Sequence, residues 1–234
     1  MRRRHFIGLG PGLAGVCLPA LAAGRLAEEI RAFATLDAAH PPAPGGIVFV
    51  GSSSIRGWRT LVGDFPGYPV INRGFGGSTL PDVNEYFDRL VAALKPRAVV
   101  LYAGDNDLAG GRTVDQVEGD FREFARRMAE SLPEARAAFV AIKPSPAREA
   151  WLAAQREANR RIREWIGGHP RWGYVDVFTP MLDSRGRPEP LYFGRDRLHL
   201  NANGYAVWRR EIGAWLKEIR FPVSGPGGAG AARP

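Results

Sequence analysis

Five short apolar runs recur along the chain, and stretches of helical periodicity separate them. The runs are Ile47–Val50, Tyr68–Asn72, Ala98–Ala103, Ala137–Ile142 and Tyr174–Phe178. Between and around them, apolar residues fall three and four apart. Leu26, Ile30, Phe33 and Leu36 stripe a segment from Arg25 to Ala39, and Val83, Phe87, Leu90, Val91 and Leu94 stripe Pro81 to Leu94. Val114, Val117, Phe121, Phe124 and Met128 follow Thr113, a suitable N-cap. A further helix is expected from Arg148 to Ile166, and a last one, capped by Asn203, to about Ile219. Strands that alternate with amphipathic helices bury both faces of a parallel sheet. The pattern therefore predicts one α/β domain, a three-layer α/β/α sandwich around a five-stranded parallel sheet. It leaves strand order open.

The ends read differently. Residues 1–23 open with Arg2, Arg3 and Arg4, continue through a glycine- and alanine-rich apolar stretch, and reach small residues at Ala20-Leu21-Ala22. This is the pattern of a cleavable export signal. Arg3-Arg4-His5-Phe6-Ile7 resembles a twin-arginine signal, with a general secretory signal as the alternative. Gly8, Gly10, Pro11, Gly12 and Gly15 argue against an uncleaved anchor, so the mature protein is expected to be exported, periplasmic or secreted, without stable membrane insertion. The domain is expected over 24–221, and 222–234 is a Gly/Ala/Pro tail that cannot bury a core and is predicted disordered. Of the net charge of +8, three charges belong to the leader, leaving +5. The basic residues are dispersed, without the clustered footprint that nucleic-acid binding needs. The one cysteine, Cys17, lies in the leader, so no disulfide, cysteine metal site or cysteine nucleophile is expected in the mature chain.

Four polar stretches fall at ends of these elements: Gly51-Ser52-Ser53-Ser54, Asn72 to Thr79, Gly104-Asp105-Asn106-Asp107, and Asp196-Arg197-Leu198-His199. In a parallel sheet, ligands bind beyond the carboxyl ends of the strands. A serine hydroxyl there becomes a useful nucleophile once a base within hydrogen-bond reach takes its proton. The mature chain offers His40, His169 and His199, and His199 alone has a carboxylate three residues earlier on a loop. Asp196 at that spacing can accept from Nδ1–H and leave Nε2 as the base. Gly74-x-Gly76-Gly77 lacks the full glycine spacing and the lysine of a phosphate loop.

Taken together and in order, the four stretches resemble the blocks of the SGNH hydrolases, the GDSL esterase and lipase family, from about Ile47 to Trp215. The resemblance implies a flavodoxin-like fold and a serine esterase that needs no cofactor and no metal. It matches Ser53 to the nucleophile, with Ser52 and Ser54 as rivals because Ser52 stands where the family usually has aspartate. Gly77 matches the oxyanion glycine, with Gly76 adjacent, and Asn106 matches the side-chain oxyanion donor beside the Ser53 N–H. Asp196 and His199 match the remaining catalytic pair, and Asp107 is expected to hold the asparagine loop. Arg56, Phe75, Ser145 and Arg148, together with Trp58, Arg73, Tyr192 and Phe193, lie where they could meet substrate. Short loops without an apolar lid favour a small soluble ester, such as an acetyl group on a carbohydrate or cell-wall sugar. An acyltransferase on the same serine and a non-catalytic exported binding module are the competing readings, and oligomeric state is left open.

Overall fold

Each apolar run pairs as a strand of one sheet: β1 (Ile47–Gly51), β2 (Val70–Gly74), β3 (Ala98–Tyr102), β4 (Arg136–Val140) and β5 (Trp172–Val175). The order is β2-β1-β3-β4-β5, and every neighbouring pair is parallel. The structure, a computed structural model, describes residues 18–223. The expected export signal and C-terminal tail therefore lie largely outside the described residues. Among the described residues, no helix is long and apolar enough to cross a membrane.

The helices in chain order are α1 (Leu18–Ala39), α2 (Ser53–Arg56), α3 (Leu61–Asp64), α4 (Leu80–Glu85), α5 (Phe87–Leu90), α6 (Asp105–Ala109), α7 (Val114–Ser131), α8 (Leu152–Gly167) and α9 (Ala202–Glu218). Alternation along the strands builds two cores. Val48, Val50, Val99 and Leu101 face one side with Phe87, Phe121, Phe124 and Ile162, while Ile47, Phe49, Val100 and Tyr102 face the other with Trp58, Trp208 and Ile212. A one-residue slip would exchange the two sets, so burial on both faces fixes the register.

Several boundaries differ from the sequence expectation. The stripe from Pro81 to Leu94 is buried as expected, but it forms α4, α5 and a 3₁₀ turn over Ala92–Leu94 rather than one helix. Tyr86 (φ −97°, ψ 11°) and Val91 (φ −126°, ψ −63°) leave helical geometry at the two breaks. The run at Tyr174–Phe178 stops early as a strand because the Asp176 carboxylate accepts from the N–H groups of Phe178 and Thr179, each at 3.0 Å, and turns the chain. The last helix is capped by Asn201 rather than Asn203: Asn201 Oδ1 accepts from the N–H groups of Asn203 and Gly204. Thr113 does cap α7, and it forms a reciprocal capping box with Gln116.

The strand order reverses between β1 and β3, and a crevice opens there beyond their carboxyl ends. The two strands meet closely at Gly51, whose φ is +135° and where a Cβ would lie 1.8 Å from the Tyr102 carbonyl oxygen. Only glycine fits this backbone. Gly51→Ala is expected to destabilise the fold by at least about 3 kcal/mol, seen as a lower denaturant midpoint. A midpoint equal to that of the unaltered protein would show that the strands can separate at no cost.

Candidate active site

The crevice is lined by the loops that leave β1, β2 and β3 and by the segment that enters α9. Ser52, in extended backbone, is the N-cap of α2, so Ser53 is the first residue of that helix. A first-turn N–H has no partner within its own helix, and that of Ser53 has none among the described residues. Its hydroxyl oxygen lies 3.0 Å from His199 Nε2. On the far side of the ring, Nδ1 lies 2.6 Å from Asp196 Oδ2, and Asp196 Oδ1 accepts from the backbone N–H groups of Leu198 and His199, each at 3.0 Å. The His199 hydrogen bond, aided by those two N–H groups, holds the Asp196 carboxyl at a pKa of about 2. An ionised carboxylate only accepts. Nδ1 therefore carries the imidazole proton, and Nε2 is free to accept from the serine.

Ser52 and Ser54 are both buried, and neither hydroxyl makes a hydrogen bond to the imidazole. His40 is exposed at the end of α1, and His169 stacks on Trp165 with Nδ1 at 2.7 Å from the Trp165 carbonyl. Gly77 is exposed with φ +79°, and its N–H has no acceptor among the described residues. Asn106 Nδ2 donates to the Ser78 carbonyl at 3.0 Å, which leaves its second amide hydrogen available. Asp107 holds this loop as expected, since its Oδ1 accepts from Leu80 N–H at 2.9 Å.

The substrate-contact expectations divide. Phe75 is fully buried in the core, edge-on to Tyr86, and Ser145 is fully buried as well, so neither side chain faces the crevice. Phe75 directly follows β2, which runs on to Gly74 rather than stopping at Asn72, and its N–H donates to the Gly51 carbonyl at 2.9 Å. Ser145 lies past the end of β4 at the entry to a 3₁₀ turn, where its carbonyl accepts from Arg148 N–H at 2.9 Å. Trp58 and Phe193 are core residues, and Arg73 is buried against Asp37 at 2.5 Å and over the Phe33 ring. Tyr192 is half-buried in the loop before α9 and packs against the core. Arg148 is half-buried, with Nε 3.9 Å from Asp105 Oδ1. Arg56 stays exposed while its Nε pairs with Glu29 at 3.1 Å.

Glu29 is a residue that the sequence reading missed. The same oxygen that meets Arg56 accepts from Gly76 N–H at 3.1 Å, so α1 bridges the serine helix and the glycine loop. A signal was available: Leu26, Glu29, Ile30, Phe33 and Asp37 lie on one helical face, and an acid within an otherwise apolar stripe needs a partner. Among the described residues, no cluster of three or more His, Cys, Asp or Glu side chains is placed to hold a metal ion.

A model of the GDSL-like lipase/acylhydrolase family matches residues 39–207. No curated protein matches the chain. Several solved structures share the fold. A GDSL-like lipase from Bacteroides thetaiotaomicron has a TM-score of 0.71 at 24% identity, covering 81% of this chain and 98% of its own. The lipase/acylhydrolase from Enterococcus faecalis has a TM-score of 0.59 at 19% identity, covering 79% and 100%. A catalytic mutant of an acetylxylan esterase from Geobacillus stearothermophilus has a TM-score of 0.57 at 17% identity, covering 77% and 96%.

Burial raises the Asp107 carboxyl from 3.8 to about 6, although Leu80 N–H and other backbone N–H groups favour its charged form. Its Oδ2 is buried without a partner. The folded state therefore binds more protons than the unfolded state between these two values, and stability falls as pH rises through that window. Asp107→Asn keeps the acceptor for Leu80 and removes the charge. Its stability relative to the unaltered protein is expected to be about 2 kcal/mol more favourable at pH 8 than at pH 4. Urea unfolding at the two pH values measures this, and an equal gap at both would refute the assignment.

Proposed function

The chain belongs to the GDSL-like lipase/acylhydrolase family of ester hydrolases, and from that premise we propose that it cleaves small carboxylic esters by two-step acyl transfer on Ser53. One observation carries the reading: the Ser53 hydroxyl lies 3.0 Å from an imidazole nitrogen whose opposite nitrogen is held at 2.6 Å by Asp196. Those distances are within the reach that a nucleophile and its base require.

In the first step Ser53 Oγ attacks the ester carbonyl as His199 Nε2 takes its proton. His199 then delivers that proton to the leaving alcohol. Asp196 holds the ring in the required tautomer and stabilises the imidazolium that forms. Water, deprotonated by the same nitrogen, releases the acyl group. The carbonyl oxygen gains charge in both steps, and the N–H groups of Ser53 and Gly77 with Asn106 Nδ2 serve as its donors, each worth about 3 kcal/mol at the transition state.

His199 and Asp196 are half-exposed, at 45% and 52% of their side-chain surface. An open site suits a short acyl group on a bulky soluble alcohol better than a long lipid chain. The shared fold with an acetylxylan esterase points the same way. Acetyl groups on carbohydrate or cell-wall sugars are therefore the substrate class we favour, reached outside the cytoplasm through an export signal in residues 1–23.

Hydrolysis of p-nitrophenyl acetate by the purified protein is the direct test. Ser53→Ala and His199→Ala are expected to lower kcat about 10⁴-fold or more, with acetate preferred over octanoate. Retained activity in Ser53→Ala beside its loss in Ser52→Ala would overturn the assignment. Added alcohols that yield ester in excess of acid would make the enzyme a transferase. Expressed at full length in a bacterium, the protein is expected in the periplasmic fraction with its first twenty-odd residues removed, as intact-mass measurement reads directly. Retention in the cytoplasm at full mass would refute export.

A further inference from the structure

Beneath the site lies a sealed ion pair that no step above uses. Lys143, 1% exposed, follows β4, and its Nζ donates to Asp105 Oδ2 at 2.8 Å and to the Tyr102 hydroxyl at 3.2 Å. Gln155 Nε2 donates to the other Asp105 oxygen at 3.3 Å, and Arg148 Nε lies 3.9 Å from it. Burial by itself would discharge Lys143, but the Asp105 carboxylate and Tyr102 outweigh it and raise the lysine pKa. Burial pushes the Tyr102 hydroxyl up to about 12, so it stays neutral. A buried ion pair is a poor source of stability, since desolvation offsets most of the attraction and apolar replacements often do as well. What such a pair supplies is fixed geometry.

The geometry in question is that of α6. Its first three residues are Asp105, Asn106 and Asp107, and each side chain is tied to a different group. Asp105 is tied to Lys143, Asn106 to the Ser78 carbonyl, and Asp107 to Leu80 N–H. Consecutive helical residues point about 100° apart, so the three ties resist rotation of this short helix about its axis. Two of them run to the single segment 78–80, and Asp105 is the one that reaches the segment after β4, through Lys143, and α8, through Gln155. Lys143 also touches Tyr102, whose carbonyl oxygen accepts from Ser52 N–H at 3.0 Å beside the serine turn. One ammonium group thus contacts both the support of the serine turn and the helix that carries Asn106.

We propose that Lys143 is a positioning residue: through Asp105 it fixes the orientation of α6, and with it the aim of the Asn106 amide at the oxyanion relative to Ser53. This rests on the serine esterase reading above.

The test compares kcat and KM for p-nitrophenyl acetate in a double-mutant cycle. Lys143→Met alone strands a buried carboxylate, so the working variant is Lys143→Met/Asp105→Asn, which removes both charges, with urea unfolding to establish that it folds. In this variant kcat is expected to fall about 10- to 100-fold, less than or equal to the loss of a whole oxyanion donor, while KM changes less than twofold. In an Asn106→Ala background the same pair of substitutions is expected to cost less than about twofold, because the group being aimed is gone. Asp105→Asn alone would strand the buried Lys143 ammonium in the same way, so Lys143→Leu/Asp105→Asn, equally free of both charges and with the same loss of kcat expected, serves as the second variant if the first does not fold. Wild-type kcat in a folded charge-free variant would overturn the proposal. So would equal losses in both backgrounds, which would mark a general structural role. A parallel Ser53→Ala control separates the two levels: its retained activity would defeat the esterase reading itself, whereas its inactivity leaves the cycle to judge Lys143.

Discussion

At Gly51 the backbones of β1 and β3 approach so closely that no side chain fits between them, and the Ser52 N–H donates to the Tyr102 carbonyl just beyond. This contact is the last point at which the two central strands travel together. From it the chain diverges into α2 on one side and α6 on the other, and the crevice between them holds Ser53 and Asn106. The two cores keep the contact in register, because alternate residues of both strands are buried on opposite faces. A serine placed after any other strand would lack this neighbour.

The polar groups fall into two populations with different work. Along α7 and α8, arginines pair with glutamates one turn away, as Arg126 does with Glu123 and Arg160 with Glu157. Such exposed pairs add little stability and keep the outer surface wet. The interior pairs Lys143–Asp105 and Arg73–Asp37 are few, and each joins segments distant in sequence. Their ties run to α6 and to the end of β2, the elements beside the candidate site. The Ser53–His199–Asp196 array itself stays open to solvent, which suits a reaction whose second substrate is water.

The family match begins at residue 39, yet the bracing of the site begins earlier. Glu29 and Asp37 on α1 reach Gly76, Arg56 and Arg73, while Leu26 and Ile30 anchor the same face in the core. The shared part of the chain supplies the serine, the imidazole and their partners. Through Glu29, α1 clamps the glycine loop against the serine helix from outside. A groove of about 590 Å³ beside Trp165 and Trp172 sits at the start of β4 and β5 and so opens at the opposite end of the sheet.

The sequence alone determined the layered fold, because strand and helix periodicities are local. It singled out Ser53, Asp196 and His199, the last by a histidine–carboxylate spacing that falls on a loop, as candidates that the fold brings within hydrogen-bond distance. It also identified Asp107 as the support of the asparagine loop. It did not determine where the Pro81–Leu94 stripe would break, that Asn201 would cap α9, or that Phe75 and Ser145 would turn inward. Nor did it reveal that Glu29 and Lys143 would find partners beside the site. Those outcomes depend on which distant atoms share a space, and 146 residues separate even Ser53 from His199. Periodicity reports which face of an element is buried; only packing decides what that face meets.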